Sequence, residues 1–516
     1  MNTHFTFQNM SLISENKNSA LSLIGAVSAL SLIYTAYRSM YPKVGPTEIP
    51  IPTPCYPYIG NMASIGELPG KKIAEWHAKY GPIIRVRMGV QTWIMIGDPA
   101  LAHELFVSNG IESAGRLYTT YGSKYYSAGQ RGIAFAEPGS AWKKARGVVL
   151  NSLGQKAVEN YSELIGSKAN EMVESLIRET KANGSVNPSE TLEFYSLSII
   201  SKIALGKKFE SLDDPNFKKT RFIMAKSTKL CGFEYDLPNF LPIFRPLFYY
   251  LGVEKKMKEF IENERDVVFG KYITETRDNK LDNIITALVN DSDNFDEDDI
   301  LAIITDMVIG GSDTVAITLS WAVSILCNYP DVQKKMQDEI DIFVQKNGSL
   351  PTFSDRSELP YCNSVMKECM RHKPTTPLGI PHKVTKEIVL RGFTIPKDSI
   401  VVSSMDYMHN GAGHYKNEEE FVPERYFHDD KTMSAAANGK FSERDQFNFG
   451  WGRRICPGIY LAEAEIFNAY ISIFSKSTIE PVYKNGQPVF PDISGARSGG
   501  GTTLPLRYNV QFVERS

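Results

Sequence analysis

FGWGRRICPG, residues 449–458, is a glycine-rich turn built around one cysteine. Gly450, Gly452 and Gly458 allow backbone conformations and close approaches that a residue with a Cβ resists. Such a turn aims main-chain N–H groups at the sulfur of Cys456, and the helix that Pro457 and Gly458 open adds the positive end of its dipole. Both effects favour the thiolate, so Cys456 reads as a metal ligand presented from a tight loop. Phe449 is placed to shield the sulfur, and a dry surround helps set the potential of the metal. The competing reading is a buried structural cysteine in an ordinary turn.

Phe449, Gly452, Arg454, Cys456 and Gly458 fill the pattern Phe-x-x-Gly-x-Arg-x-Cys-x-Gly, which resembles the haem-binding signature of the cytochrome P-450 superfamily. At average residue usage, five fixed positions coincide by accident in such a chain with a probability on the order of one in several thousand. The resemblance implies haem b ligated by Cys456, with Arg454 reaching a propionate. It implies a mainly α fold with a small β region, most like the membrane-anchored enzymes of filamentous fungi. The implied activity is oxygenation of a substrate by dioxygen, with electrons from NADPH arriving through a flavoprotein reductase.

Three further motifs follow the same family in the same order. Residues 298–326 read as one helix of roughly 45 Å. Its adjacent Gly310 and Gly311 cost about 1 kcal/mol each relative to alanine. A helix-packing glycine pair is one explanation. The resemblance supplies another, because Gly310-Gly311-Ser312-Asp313-Thr314 matches Ala/Gly-Gly-x-Asp/Glu-Thr, where the glycines let the helix kink and open a groove for dioxygen. There Thr314 would bond the oxygen, and Asp313 would help deliver protons through water.

Glu368 and Arg371 lie at i, i+3 on the helical stretch LPYCNSVMKECMRHKP and can pair. With Arg425 of the PERY segment they resemble the family's structural Glu-Arg-Arg triad. Trp142 and Arg146, at i, i+4, correspond to a pair that approaches the haem propionates, where an arginine offsets carboxylates that are costly to bury unpaired. His382, in PTTPLGIPHKV, would reach a propionate too. By the same resemblance a mobile loop over residues 115–138 covers the pocket, and a final hairpin sends its tip in. Met307, Val308, Leu378, Gly379, Ile380 and Thr503 are the expected substrate lining, apolar or small and without a base to fix an acid. An uncharged lipophile follows, a steroid or terpenoid first and an aromatic xenobiotic second. The alternatives are an isomerase or dehydratase that needs no dioxygen, and a haem-binding sensor without turnover.

A formal net charge of -2 gives no basic field, which speaks against a nucleic-acid partner. Six scattered cysteines without a C-x-x-C pair suit a reducing compartment and not a disulfide scaffold. No obligate oligomer is expected. Residues 19–37, SALSLIGAVSALSLIYTAY, carry no charge and are long enough to cross a bilayer. A cleaved signal peptide is the alternative. Arg38 and Lys43 follow the span, placing the body in the cytosol. The expected organisation is a short luminal tail over 1–18 with a sequon at Asn9, a span over 19–37, a proline-rich hinge over 38–61, and the catalytic domain over 62–516. The family resemblance makes the membrane that of the endoplasmic reticulum, with NADPH-cytochrome reductase and cytochrome b5 as partners. Residues 233–252, almost uncharged and rich in Phe, Tyr, Leu and Pro, read either as a membrane contact or as a packed loop.

Overall fold

The computed structural model describes residues 28–45, 48–279, 283–291 and 294–515. The expected luminal tail, Asn9 and residues 19–27 of the expected span lie outside these residues. Residues 28–40 are helical, and Leu30, Leu32, Ile33 and Tyr34 on them are exposed.

The helices that frame the site are α1 (Ser140–Leu153), α2 (Ser162–Asn183), α3 (Ser189–Leu205), α4 (Glu297–Cys327), α5 (Pro330–Asn347), α6 (Pro360–His372) and α7 (Ile459–Lys476). Helix α4 starts at a reciprocal cap. The Asp296 carboxylate accepts the Asp299 N–H at 2.9 Å, and Asp299 accepts the Asp296 N–H at 3.1 Å. Glu297 and Asp298 add negative charge where the helix dipole favours it. Among the described residues α4 is the helix long and apolar enough to cross a membrane, but 67% of its most apolar window is buried inside the protein. It is the core of the domain, apolar on nearly all sides because other helices surround it.

The segment of α4 that holds the glycine pair is α-helical throughout. The two glycines do different things. A Cβ on Gly311 would sit 2.8 Å from Ile200 Cγ1, so this glycine lets α3 press against α4. Gly310 has open space beside it and forms part of a cavity wall. Helix α3 also ties its neighbours together: the Tyr195 hydroxyl donates to the Glu465 carbonyl of α7 at 2.8 Å, and Ser196 Oγ donates to the Ser312 carbonyl of α4 at 2.7 Å.

The β region is small, as expected. Strands β1 (Ile83–Met88) and β2 (Gln91–Ile96) form an antiparallel hairpin in which Ile83 faces Ile96. Both faces are buried, Ile83, Ile94 and Ile96 in one apolar cluster and Ile84, Val86, Met88, Trp93 and Met95 in another, and Gly89 turns the corner at φ +59°. Short strands β3 (Gly115–Arg116), β4 (His382–Lys383) and β7 (Ile400–Ser403) complete a sheet of order β1-β2-β7-β4-β3. Strands β5 (Ile388–Leu390) and β6 (Phe393–Ile395) make a separate hairpin. Strand β8 (Ser477–Lys484) pairs with β9 (Gln487–Val489) and β12 (Val510–Glu514), and β10 (Ala496–Ser498) pairs with β11 (Thr503–Pro505).

Residues 233–252 divide between their two readings. Phe240 and Leu241 are buried against the β1–β2 corner, whereas Tyr249 and Tyr250 are 90% and 87% exposed and Ile243 and Leu247 lie open beside them.

The family-like triad forms a closed knot under the cysteine loop. Arg371 donates to Glu368 through Nε at 2.7 Å and Nη2 at 2.8 Å, a bidentate pair with both side chains fully buried. The remaining guanidinium hydrogens reach the carbonyls of His409, Glu418 and Glu420 at 2.8–2.9 Å. Arg425 Nε joins at 3.3 Å from Glu368. The segment before Cys456 hangs from the same helix, because Gln446 and Asn448 donate to the Lys367 and Met370 carbonyls of α6 at 3.3 and 3.0 Å.

Candidate active site

Between the cysteine loop and α4 lies a cavity of about 330 Å³. The loop contributes Phe449, Gly450, Trp451, Arg454, Cys456, Pro457 and Gly458, and α4 contributes Asp306, Met307, Gly310, Gly311, Thr314, Val315 and Thr318. The loop has little freedom. Cys456 N–H donates to the Phe449 carbonyl at 2.8 Å, and the Gly458 N–H donates to Cys456 Sγ at 3.3 Å. Gly450 and Gly452 sit at φ +76° and +53°, and a Cβ on Gly452 would fall 2.1 Å from the Phe106 carbonyl oxygen. Gly458 departs from the expectation: its φ is −98°, and a Cβ there would meet only ordinary contacts within the chain.

The protein alone does not hold Cys456 as a thiolate. Burial pushes its thiol up, and the Gly458 N–H and the Arg146 guanidinium only partly oppose this. A bound metal cation is the group that deprotonates a thiol in such a place.

Three buried guanidiniums converge at one end of the cavity. Arg454 donates to the carbonyls of Ala114, Ile133 and Ala136 at 3.0, 3.1 and 2.6 Å. Arg116 donates to Ala134 at 2.8 Å and to Ile380 and Pro381 at 3.2 and 3.3 Å. Arg146 reaches the Ile455 carbonyl. Trp142 supports the group, its ring 4.3 Å from the Arg454 guanidinium and its Nε1 donating to Ile133 at 3.2 Å. Burial pulls the affinity of Arg116 and Arg454 for their protons down, and their arginine neighbours pull it further, Arg454 reaching about 10. His382 faces this cluster too. Its Nδ1 is 2.8 Å from the Ser113 carbonyl oxygen, and burial and Arg116 hold the ring neutral. Asp306 and Glu137 offset part of this charge, main-chain carbonyls do not balance the rest, and the arrangement is suited to an anion with two or more carboxylates.

Of the pocket residues named from sequence, Met307, Leu378, Gly379 and Ile380 line the cavity. Val308 and Thr503 do not. Val308 is buried in the core one residue round from Met307, about 100° away on the helix. Thr503 is held by its backbone, its N–H donating to the Thr375 carbonyl and its own carbonyl accepting Trp321 Nε1, both at 2.8 Å. The hairpin around it contributes Gly499, Gly500, Thr502 and Leu504 to a second cavity of about 630 Å³ between α3, residues 215–230 and the far face of α4.

Asp313 also belongs to that second cavity. It shares it with Glu193 and Arg221 and does not line the first. Burial, then the neighbouring Glu193 carboxylate, raises its carboxyl to about 7, against the pull of Arg221. Thr314 does line the first cavity, its hydroxyl donating to the Gly310 carbonyl at 2.8 Å.

Arg116 and Asp306 are among the cavity residues missed from sequence. Arg116 sits on a two-residue strand that pairs it with His382. Asp306 accepts the Ile133 and Ala134 N–H groups at 2.7 and 2.9 Å and the Tyr126 hydroxyl at 3.0 Å. It thereby ties part of the expected mobile loop to α4. Asp306, Gly310 and Thr314 are spaced i, i+4, i+8 on one helical face, a signal the sequence did contain.

The Cytochrome P-450 family model matches residues 50–502. The chain belongs to that family. A trans-cinnamate 4-monooxygenase of Petunia hybrida is 30% identical over 463 residues, covering 86% of this chain and 88% of the relative. One of Catharanthus roseus is 29% identical over 462 residues, covering 86% and 88%. These are plant proteins, and they do not carry the expected likeness to filamentous-fungal enzymes. A zebra fish cytochrome P-450 structure with progesterone shares the fold, with a TM-score of 0.72 and 24% identity over 86% of this chain and 99% of that one. As a cytochrome P-450, this protein is a haem-thiolate monooxygenase with haem b as its cofactor and reducing equivalents drawn from NADPH through a reductase. Its residues fit that cofactor. Cys456 is a soft ligand on a fixed loop, and the unbalanced arginines suit a porphyrin's two carboxylates.

Proposed function

We propose that this cytochrome P-450 hydroxylates an uncharged lipophilic molecule, with a steroid or terpenoid the first candidate class. The observation that carries this reading is the cavity lining. Met307, Val315, Leu378 and Ile380 present apolar surface, Asp306 is engaged by three donors and the arginines by carbonyls and the cofactor's carboxylates, and Glu465, buried without a partner, offers no positive charge to an acid. A charged substrate entering such a space loses hydration without gaining a partner. A small aromatic acid is the second reading, favoured by the relatives named for trans-cinnamate. Optical difference spectra over matched panels of neutral lipophiles and aromatic carboxylates separate the two. A high-spin shift with neutral ligands alone supports the proposal, and a shift confined to carboxylates overturns it.

Haem, when bound, supplies the site for dioxygen and the oxidising power. The chain orients the substrate against the apolar wall and excludes water. Trp142, Arg146, Arg116, His382 and Arg454 hold the carboxylate end, and Cys456 Sγ the metal. Thr314 Oγ1 positions a proton at the cavity wall. Asp313, whose carboxyl titrates near neutrality, loads a proton from the second cavity and passes it through water round the helix. Thr314→Ala then lowers product formed per NADPH consumed by about one to two orders of magnitude while NADPH oxidation continues. Parallel assays of NADPH, peroxide and product check this, and unchanged coupling removes the assigned role.

The protein sits on the cytosolic face of the endoplasmic reticulum membrane. In support, the exposed apolar helix over 28–40 and the patch of Ile243, Leu247, Tyr249 and Tyr250 each offer lipid contact. Cytochrome b5 serves as a second electron donor, and the working unit is a monomer.

A further inference from the structure

Arg444 precedes the cysteine loop, and its side chain is buried against that loop with 3% of the residue exposed. Its guanidinium carbon lies 3.7 Å from the centre of the Trp451 ring, and Nη2 donates to the Gly450 carbonyl. Among the described residues no carboxylate acts on it. Burial pulls its affinity for its proton down to about 9, and only the Tyr415 phenol opposes this. The Trp451 indole is held by its faces, since its Nε1 is buried without a partner, and Phe447 stacks on it at 5.4 Å with the rings 10° from parallel. Phe447 is fixed in turn. Its N–H donates to His409 Nε2 at 3.1 Å, and the His409 carbonyl accepts Arg371 of the buried knot at 2.9 Å. A chain of contacts therefore runs from Arg371 through His409 and Phe447 to Trp451, and Arg444 closes it at the loop.

A buried guanidinium without an acid loses hydration that one carbonyl and an aromatic face only partly return. A methionine of similar length would pack there without that cost. What the guanidinium grips is the loosest part of the turn. Gly450 and Gly452 sit at positive φ, and the main-chain bonds donated by Gly450, Arg454 and Ile455 are each 3.2 Å long, against 2.8 Å for Cys456 N–H to the Phe449 carbonyl. Among the described residues no main-chain N–H donates to the Gly450 carbonyl. We propose that Arg444 is a positioning residue for the haem ligand: by clamping the Gly450 carbonyl and the Trp451 ring, it holds the turn that aims Cys456 Sγ at the metal. It acts through the shape of the loop and not through its own field, because the groups that favour the Cys456 thiolate are the Gly458 N–H and Arg146. Where the turn slackens, the sulfur leaves the direction that thiolate ligation needs.

The proposal rests on Cys456 being the haem ligand, so the carbon monoxide spectrum of the wild-type holoenzyme comes first. A histidine-type band there ends that reading, and the clamp itself is still read by nuclear magnetic resonance. In carbon monoxide-bound holoenzyme carrying nitrogen-isotope-labelled arginine, one guanidinium signal is expected to be shifted upfield by an indole ring current, and Trp451→Leu is expected to remove the shift. Absence of such a signal overturns the proposal. Arg444→Met keeps the length of the side chain and removes the guanidinium. It is expected to start with a thiolate-type band and to lose it about tenfold faster than wild type in mild denaturant. It is also expected to move the iron–sulfur stretch in the resonance Raman spectrum, which a loss of stability elsewhere in the fold leaves in place. Trp451→Leu is expected to move the stretch in the same direction, and the double variant by less than the sum of the two. Additive changes, or a stretch and a band lifetime equal to wild type in Arg444→Met, overturn the assignment. Should Arg444→Met fail to take up haem, Arg444→Lys, which keeps the charge without the planar face, is read beside Trp451→Leu by the same two measurements, and wild-type values in both overturn it.

Discussion

Cys456→Ser abolishes the thiolate-type Soret band of the reduced, carbon monoxide-bound protein and all oxygenation with it. Serine is nearly isosteric, and the bond that shapes the loop, Cys456 N–H to the Phe449 carbonyl at 2.8 Å, is main chain to main chain. The turn also depends on Gly450 and Gly452 at positive φ, which the change leaves alone. The fold therefore survives. What disappears is the soft, anionic donor, because a serine hydroxyl stays protonated where the thiol gives up its proton to a metal. Electron donation from the ligand that favours O–O cleavage goes with it. The measurement is the carbon monoxide difference spectrum at matched haem content. A thiolate-type band persisting in the variant would refute the ligand assignment, as would a histidine-type band in the wild type.

Arg371→Ala has the second large effect, on stability. Glu368 and Arg371 are both fully buried, so removing the guanidinium strands a carboxylate and leaves the carbonyls of His409, Glu418 and Glu420 short of donors. Breaking a buried pair from one side costs about 3–5 kcal/mol. That is a large share of the roughly 5–15 kcal/mol that holds a domain together. Arg425→Ala is the control: its single bond to Glu368 is 3.3 Å long, and the side chain is partly exposed, so its loss is smaller. Denaturant unfolding of the two variants, followed by haem absorbance, should rank Arg371→Ala far below Arg425→Ala. Equal midpoints would show that the knot does not hold the cysteine loop.

The helix α4 and the i, i+3 pair on α6 were legible because each is a local pattern with one period. Helical phase separates neighbours: residues 306, 310 and 314 repeat every four positions and share the cavity face, whereas Asp313 lies about 100° round from Thr314 and Val308 about 100° round from Met307. The family motif named Asp313 beside Thr314 without saying which way each side chain turns. Thr503 went astray because β11 is fixed by long-range backbone bonds to Thr375 and Trp321, which no local pattern records. Arg116 was hidden for the same reason, one arginine on a strand of two residues.

From the sequence alone came the ligand, the family, the core helix with its glycines and the buried Glu368–Arg371 pair, because each is written in residues near one another along the chain. Only the folded chain decided which way α4 faces, that Asp313 opens on a second cavity, that a third arginine joins the cationic end of the first, and that Glu465 is buried there without a partner. Those are questions of burial and of charge meeting charge across hundreds of residues. Desolvation and Coulomb forces depend on distance in space, which spacing along the chain does not supply.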